Sequence, residues 1–110
     1  MKREVIKKVE NNLPVIVRSG RVDFGATYVL WALRNTPEKV KAIVIARNTP
    51  PGFLSKLQES IEASGRKIPL ILLSKTNMEL GDLCGRPHSV SSLVIYDFGT
   101  APISEDDLNE

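Results

Sequence analysis

The sequence predicts an α/β fold, a three-layer α/β/α sandwich around a single sheet. Two observations predict it. Four short runs rich in Val, Ile and Leu, at residues 13–17, 42–46, 68–73 and 93–96, are continuous rather than alternating, as strands covered on both faces are. Segments of helical period fill the gaps between them. The resulting order, α-β-α-β-α-β-α-β, puts helices on both faces of the sheet.

Each element has its own signal. Val5, Ile6, Val9 and Leu13 form the apolar stripe of a first helix, leading into the first run. Ala26, Val29, Leu30 and Leu33 repeat at i, i+3, i+4 and i+7, with Asp23 placed to complement the helix dipole. Asn35-Thr36-Pro37 stops that helix. Phe53, Leu54, Leu57 and Ile61 mark a third helix, entered through Pro50-Pro51-Gly52 and ended near Ser64-Gly65. A short fourth helix opens on Thr76-Asn77-Met78-Glu79, the Thr-x-x-Glu form of a capping box, and Gly85 suits its C′ position.

The chain of 110 residues is long enough for one domain and too short for two. That domain is expected over residues 1–103, with 104–110 an acidic tail; Pro102 to Glu110 reads as loose, with room for one further turn of helix. No apolar run approaches the roughly 20 residues of a membrane span, and the first residues lead into an amphipathic segment rather than a signal peptide. No membrane contact and a cytoplasmic address are therefore expected. Cys84 is the only cysteine, so no internal disulfide forms. Together with His88 it supplies too few ligands for zinc, and no cofactor is expected.

Charge becomes informative once divided. Of 13 acidic residues, Glu105, Asp106, Asp107 and Glu110 lie in the last ten, leaving 15 basic against 9 acidic before them, a net +6. A basic body with an acidic end fits contact with nucleic acid; it equally fits an ordinary solvated surface.

In an open α/β sheet, binding falls at loops beyond the strand ends. Three loops here are unusual: residues 19–25 after the first run, 47–52 after the second, and 85–90 before the last. Arg21, Arg47 and Arg86 fall one in each, and guanidinium groups bind phosphate bidentately and stack on bases. Asn48, Thr49 and Ser89 add groups that reach base edges or 2′-hydroxyls, and an exposed His88 ring could stack on a base. Three surface arginines are the plain alternative. Gly20 and Gly25 tempt a nucleotide-binding reading, but a P-loop needs a lysine where Ala26 stands. Tyr28 and Trp31, at i and i+3, could instead serve a protein-protein adaptor. Cys84 and His88 cannot share a helix face across Gly85 and Pro87, so Cys84 reads as a core residue rather than a nucleophile.

At the same loops the chain resembles the kink-turn RNA-binding superfamily of ribosomal proteins, and within it the archaeal and eukaryotic large-subunit family numbered thirty. The similarity covers roughly residues 5–103. It is strongest in Glu79-Leu80-Gly81-Asp82-Leu83-Cys84-Gly85-Arg86-Pro87-His88-Ser89-Val90-Ser91, which is similar to the family's Glu-Leu-Gly…Gly-Arg-Pro-x-x-Val-Ser. Ala46-Arg47-Asn48-Thr49-Pro50 resembles its second-loop signature, and Ser19-Gly20-Arg21 through Gly25 its first.

The resemblance implies a four-stranded mixed sheet and a non-catalytic, structural role in the large ribosomal subunit. It implies binding of rRNA at a kink-turn or similarly bent internal loop, with neighbouring ribosomal proteins as further partners and a monomer outside the ribosome. Gly20, Arg21, Gly25, Ala26, Thr27 and Tyr28 would approach the RNA backbone and the sheared G·A pairs. Arg47, Asn48, Thr49 and Pro50 would contact bases, and Arg86, Pro87, His88, Ser89 and Val90 would cradle an extruded nucleotide. Two departures stand out. The family's basic residue at the start of the second helix is replaced by Thr27, Tyr28 and Val29, and its paired aromatics in the third helix by Gln58, Glu59 and Ser60. They fit a divergent archaeal member, or a paralogue serving another ribonucleoprotein particle.

Overall fold

The computed structural model describes residues 3–108. The elements run α1 (Arg3–Ser19), β1 (Arg21–Phe24), α2 (Ala26–Asn35), β2 (Ala42–Ile45), α3 (Pro51–Ser64), β3 (Leu70–Leu72), α4 (Asn77–Leu83), β4 (Ser92–Asp97) and α5 (Glu105–Leu108). The strands form one sheet in the order β1-β4-β2-β3. β4 is antiparallel to both β1 and β2, while β2 and β3 are parallel. The sandwich is the expected one, and its sheet is mixed.

The first strand is not where the apolar run placed it. Residues 13–17 are the last turns of α1, despite Pro14 within the helix, because Val5, Val9, Leu13 and Ile16 continue one buried stripe at helical spacing. Burying that stripe outweighs both the β-propensity of Val15-Ile16-Val17 and the hydrogen bond that Pro14 cannot make. The strand is instead Arg21–Phe24, an edge strand with alternating exposure. The supposed glycine loop between Gly20 and Gly25 is thus mostly sheet, and no phosphate-cradling loop exists there.

Two cores flank the sheet. On one face Val9, Leu13, Ile16 and Leu80 meet Val44, Ile71, Leu93 and Ile95. On the other, Val29, Leu33 and Leu57 meet Ile43, Ile45 and Val94. Strand alternation sends successive side chains of β2 and β4 into opposite cores. Both strands are therefore buried throughout their apolar length, which is why they read as continuous apolar runs. Helices α1 and α4 cover the first face, α2 and α3 the second.

α4 is held at both ends. The Glu79 N–H donates to Thr76 Oγ1 at 3.3 Å, and the Glu79 carboxylate accepts from the Thr76 N–H at 2.9 Å, completing the capping box. Gly85, at φ 71°, ends the helix in the left-handed conformation. The one further helical turn expected in the tail is α5, and it is held to the domain. Ile103 and Leu108 are buried against the first core. Asp107 pairs with Lys8 at 3.1 Å and Glu105 with Lys41 at 2.6 Å. Exposed pairs of this kind contribute little, so Leu108 is the anchor. Glu110, counted with the tail, lies outside the described residues.

Candidate nucleic-acid interface

Three loops converge on the start of β4. The Ser91 carbonyl accepts from the Ala46 N–H at 2.8 Å and from Thr49 Oγ1 at 3.3 Å. The Ser92 carbonyl accepts from the Gly25 N–H at 2.9 Å. One dipeptide thus ties the start of α2, the segment after β2 and the segment after α4 into one end of the sandwich.

The second and third segments are locked further. Asn48 Nδ2 donates to Asn77 Oδ1, and the Asn77 N–H donates back to Asn48 Oδ1, both at 2.9 Å. The Arg47 N–H donates to the Lys75 carbonyl at 2.7 Å, and the Val90 N–H to the Asn77 carbonyl at 2.9 Å. With its amide engaged in this way, Asn48 positions loop 47–50 as well as presenting it. Thr49 is half-buried and Pro50 is exposed at the N-cap of α3.

Loop 85–90 packs back across α4. The Arg86 N–H donates to the Gly81 carbonyl at 2.9 Å. A side chain at Gly81 would drive its Cβ into the His88 carbonyl, so this approach requires glycine. Arg86 extends over the Phe24 ring, its guanidinium carbon 4.2 Å from the centroid, a cation-π geometry. Pro87, His88 and Ser89 are exposed. His88 Nδ1 lies 3.0 Å from the Ser89 carbonyl, a contact that a ring N–H makes. Val90 is 3% exposed and anchors the loop in the core instead of facing a ligand.

At the start of α2, Gly25 sits at φ 104° with open space where a side chain would be. No side chain caps this helix, so the first-turn N–H groups at Ala26, Thr27 and Tyr28 are available to an anion. Thr27 and Tyr28 are exposed and Ala26 half-buried.

The geometry brings together Gly25 to Tyr28, Arg47 to Pro50, and Arg86 to Val90 at one end, while Gly20 and Arg21 stand apart from it and meet only Arg86, across a small cleft. Those two lie at the opposite end of β1, where Arg21 pairs with Asp97, about 15 Å along the strand from Gly25 at ordinary strand rise. Gly20 is needed there because a Cβ would strike the Asp97 carbonyl. Five residues that sequence reasoning does not assign to the site contribute to it: Phe24, Asn77, Gly81, and Ser91 and Ser92 through their carbonyls. Gly81 and Ser91 lie within the resembling segment Glu79–Ser91, and Gly81 stands out further as a glycine inside a helical stretch.

Nothing at this end suits covalent catalysis. Burial pushes the Cys84 thiol up to about 11, against a smaller lowering by Arg86, so it stays protonated at neutral pH. Among the described residues no group of three His, Cys, Asp or Glu could hold a metal ion.

Comparison with known proteins agrees with this layout. The model of the ribosomal protein L7Ae/L30e/S12e/Gadd45 family matches residues 7–105. The chain is 38% identical over 97 residues to large ribosomal subunit protein eL30 of Aeropyrum pernix, covering 88% of this chain and 93% of that one. It is 31% identical over 106 residues to the protein of the same name from Methanosarcina mazei, covering 94% and 95%. Against the Neurospora crassa protein of that name it is 36% identical over 94 residues, covering 86% and 83%. A solved structure of a protein with unknown function from Bacillus halodurans C shares the fold at a TM-score of 0.69 and 19% identity, covering 86% of this chain and 90% of that one. With most of its length matched by the family model and by several such relatives, the chain belongs to the ribosomal protein L7Ae/L30e/S12e/Gadd45 family.

Proposed function

We propose that the chain is a structural constituent of the large ribosomal subunit, at work in the cytoplasmic ribosome, and holds rRNA at a kink-turn or similarly bent internal loop. The relatives' names support the particle. One observation carries the RNA reading: three segments, with exposed Arg47, Arg86 and His88, are fixed to one another through Ser91 and Ser92. A rigid end made in this way suits recognition of a pre-bent RNA by shape.

In this reading the open backbone at Gly25 and the uncapped start of α2 take a phosphate. Arg47 and Arg86 bind phosphates on either side, and His88 stacks on an extruded base. The role is positioning, with rRNA and neighbouring ribosomal proteins as partners, no catalysis, and a monomeric chain outside the particle. A paralogous place in another ribonucleoprotein particle is the second reading, supported by the departures at Thr27 to Val29.

A gel shift at moderate salt, with a kink-turn RNA against a straight duplex of equal length, tests the reading. Preference for the kink-turn is expected, and equal affinity would sink it. Arg86→Ala should weaken binding and reduce the salt slope by about one, as loss of one phosphate contact does.

A further inference from the structure

β1 is an edge strand, and two clefts that share Arg21, Asp23 and Tyr96 lie along it. The smaller, about 250 Å³, is lined by Val17, Gly20, Arg21 and Arg86 among others. The larger, about 580 Å³, is lined by Arg21, Trp31, Lys39, Lys41 and Tyr96 together with carboxylates, a size typical of small-ligand pockets. Arg21 borders both. Arg86, Arg21 and Lys39 thus follow one another along the clefts from the loop end to the far end of β1, with Asp23 between them.

Aromatic side chains follow the same path. Tyr28 is 58% and Trp31 54% exposed; three residues apart, they share one face of α2. Tyr28 stands at the loop end and Trp31 opens onto the larger cleft. Exposed aromatics beside a track of cations are the arrangement that binds single-stranded nucleic acid.

The carboxylates of the cleft are partly occupied. Asp97 accepts from the Gly99 N–H at 2.9 Å, and Asp23 lies beside the Tyr96 phenol. Lys41 is paired with Glu105. Asp23, Glu38 and Asp97 all set their charge against Arg21 and Lys39, a balance that disfavours a duplex with dense phosphates. What the cleft suits is a single nucleotide held mainly by stacking on Trp31, with one phosphate between Arg21 and Lys39.

Resting on the function proposed above, we infer that the RNA surface continues along the edge of β1. An unpaired nucleotide flanking the bent RNA enters the Trp31 cleft, its base stacked on the indole and its phosphate on Arg21 and Lys39.

Trp31 is the only tryptophan, so its fluorescence reports the cleft directly. The full chain is titrated with a blunt-ended kink-turn RNA and with the same RNA carrying a four-nucleotide single-stranded extension on either strand. The expected result is a gain in affinity of roughly tenfold from one extension, within the range of one base-aromatic stack, with quenching by that RNA alone. Trp31→Ala and Lys39→Ala should lose the gain while keeping blunt-RNA affinity, and Trp31→Phe should keep most of it. Equal affinity for blunt and extended RNA, with unchanged fluorescence, overturns the inference while leaving the function intact. Quenching by a Lys- and Arg-rich peptide, and not by extended RNA, overturns it in favour of a basic protein tail. Failure of the blunt RNA to outcompete a straight duplex removes the function and this inference together.

Discussion

Arg86 lies over Phe24, guanidinium carbon to ring centroid 4.2 Å, although 62 positions separate them in the chain. The contact sets the reach of loop 85–90 against the end of β1. Phe24→Leu keeps a large apolar side chain and removes the ring. Kink-turn affinity should fall about threefold, the scale of an exposed cation-π contact. In an Arg86→Ala background the same change should add almost nothing, as competition binding of both variants and the double variant would show.

The Asn48 carboxamide bridges the Asn77 side chain and the Asn77 backbone N–H, tying two of the three segments together. Asn48→Ala and Asn77→Ala should each weaken RNA binding, with an interaction energy of about 0.5–1.5 kcal/mol in a double-mutant cycle. Additive effects would mean that the two amides act separately.

Acid should loosen the start of α4. The Thr76 backbone N–H, then the Thr76 hydroxyl, lowers the Glu79 carboxyl below its usual 4.5. A lowered folded value contributes stability above the unfolded value, lost as pH falls through the folded one. Protection of residues 76–79 against hydrogen exchange, taken relative to the intrinsic rate at each pH, should therefore drop below about pH 4.5, and Glu79→Gln should abolish that drop.

Cys84 should resist thiol reagents in the folded chain. Its thiol, held up near 11 by burial, supplies little thiolate at pH 8. Labelling by a disulfide reagent should be slow in buffer and complete in denaturant. Rapid labelling of the native chain would show that α4 opens readily.

The sheet's centre was legible because β2 and β4 are buried on both faces and read as continuous apolar runs. α4 was legible through its own capping residues, and loop 85–90 through its motif. The first strand was not. Arg21–Phe24 has only two apolar residues, whereas residues 13–17 look like a strand and are recruited into α1 by a stripe beginning at Val5. That displacement moved Gly20 and Arg21 away from the loop end. The hub at Ser91 and Ser92 was illegible for another reason: it acts through main-chain carbonyls, which any residue carries.

Gly81 offers RNA no atom, yet the spacing between α4 and His88 depends on the hydrogen it has in place of a methyl. Tuning of such a grip need not occur among the residues that touch the ligand. A relative with every loop residue unchanged but alanine here would present the same chemistry from a displaced perch. Two chains with identical contact residues can thus part in RNA preference because of one buried position on a helix behind the loop.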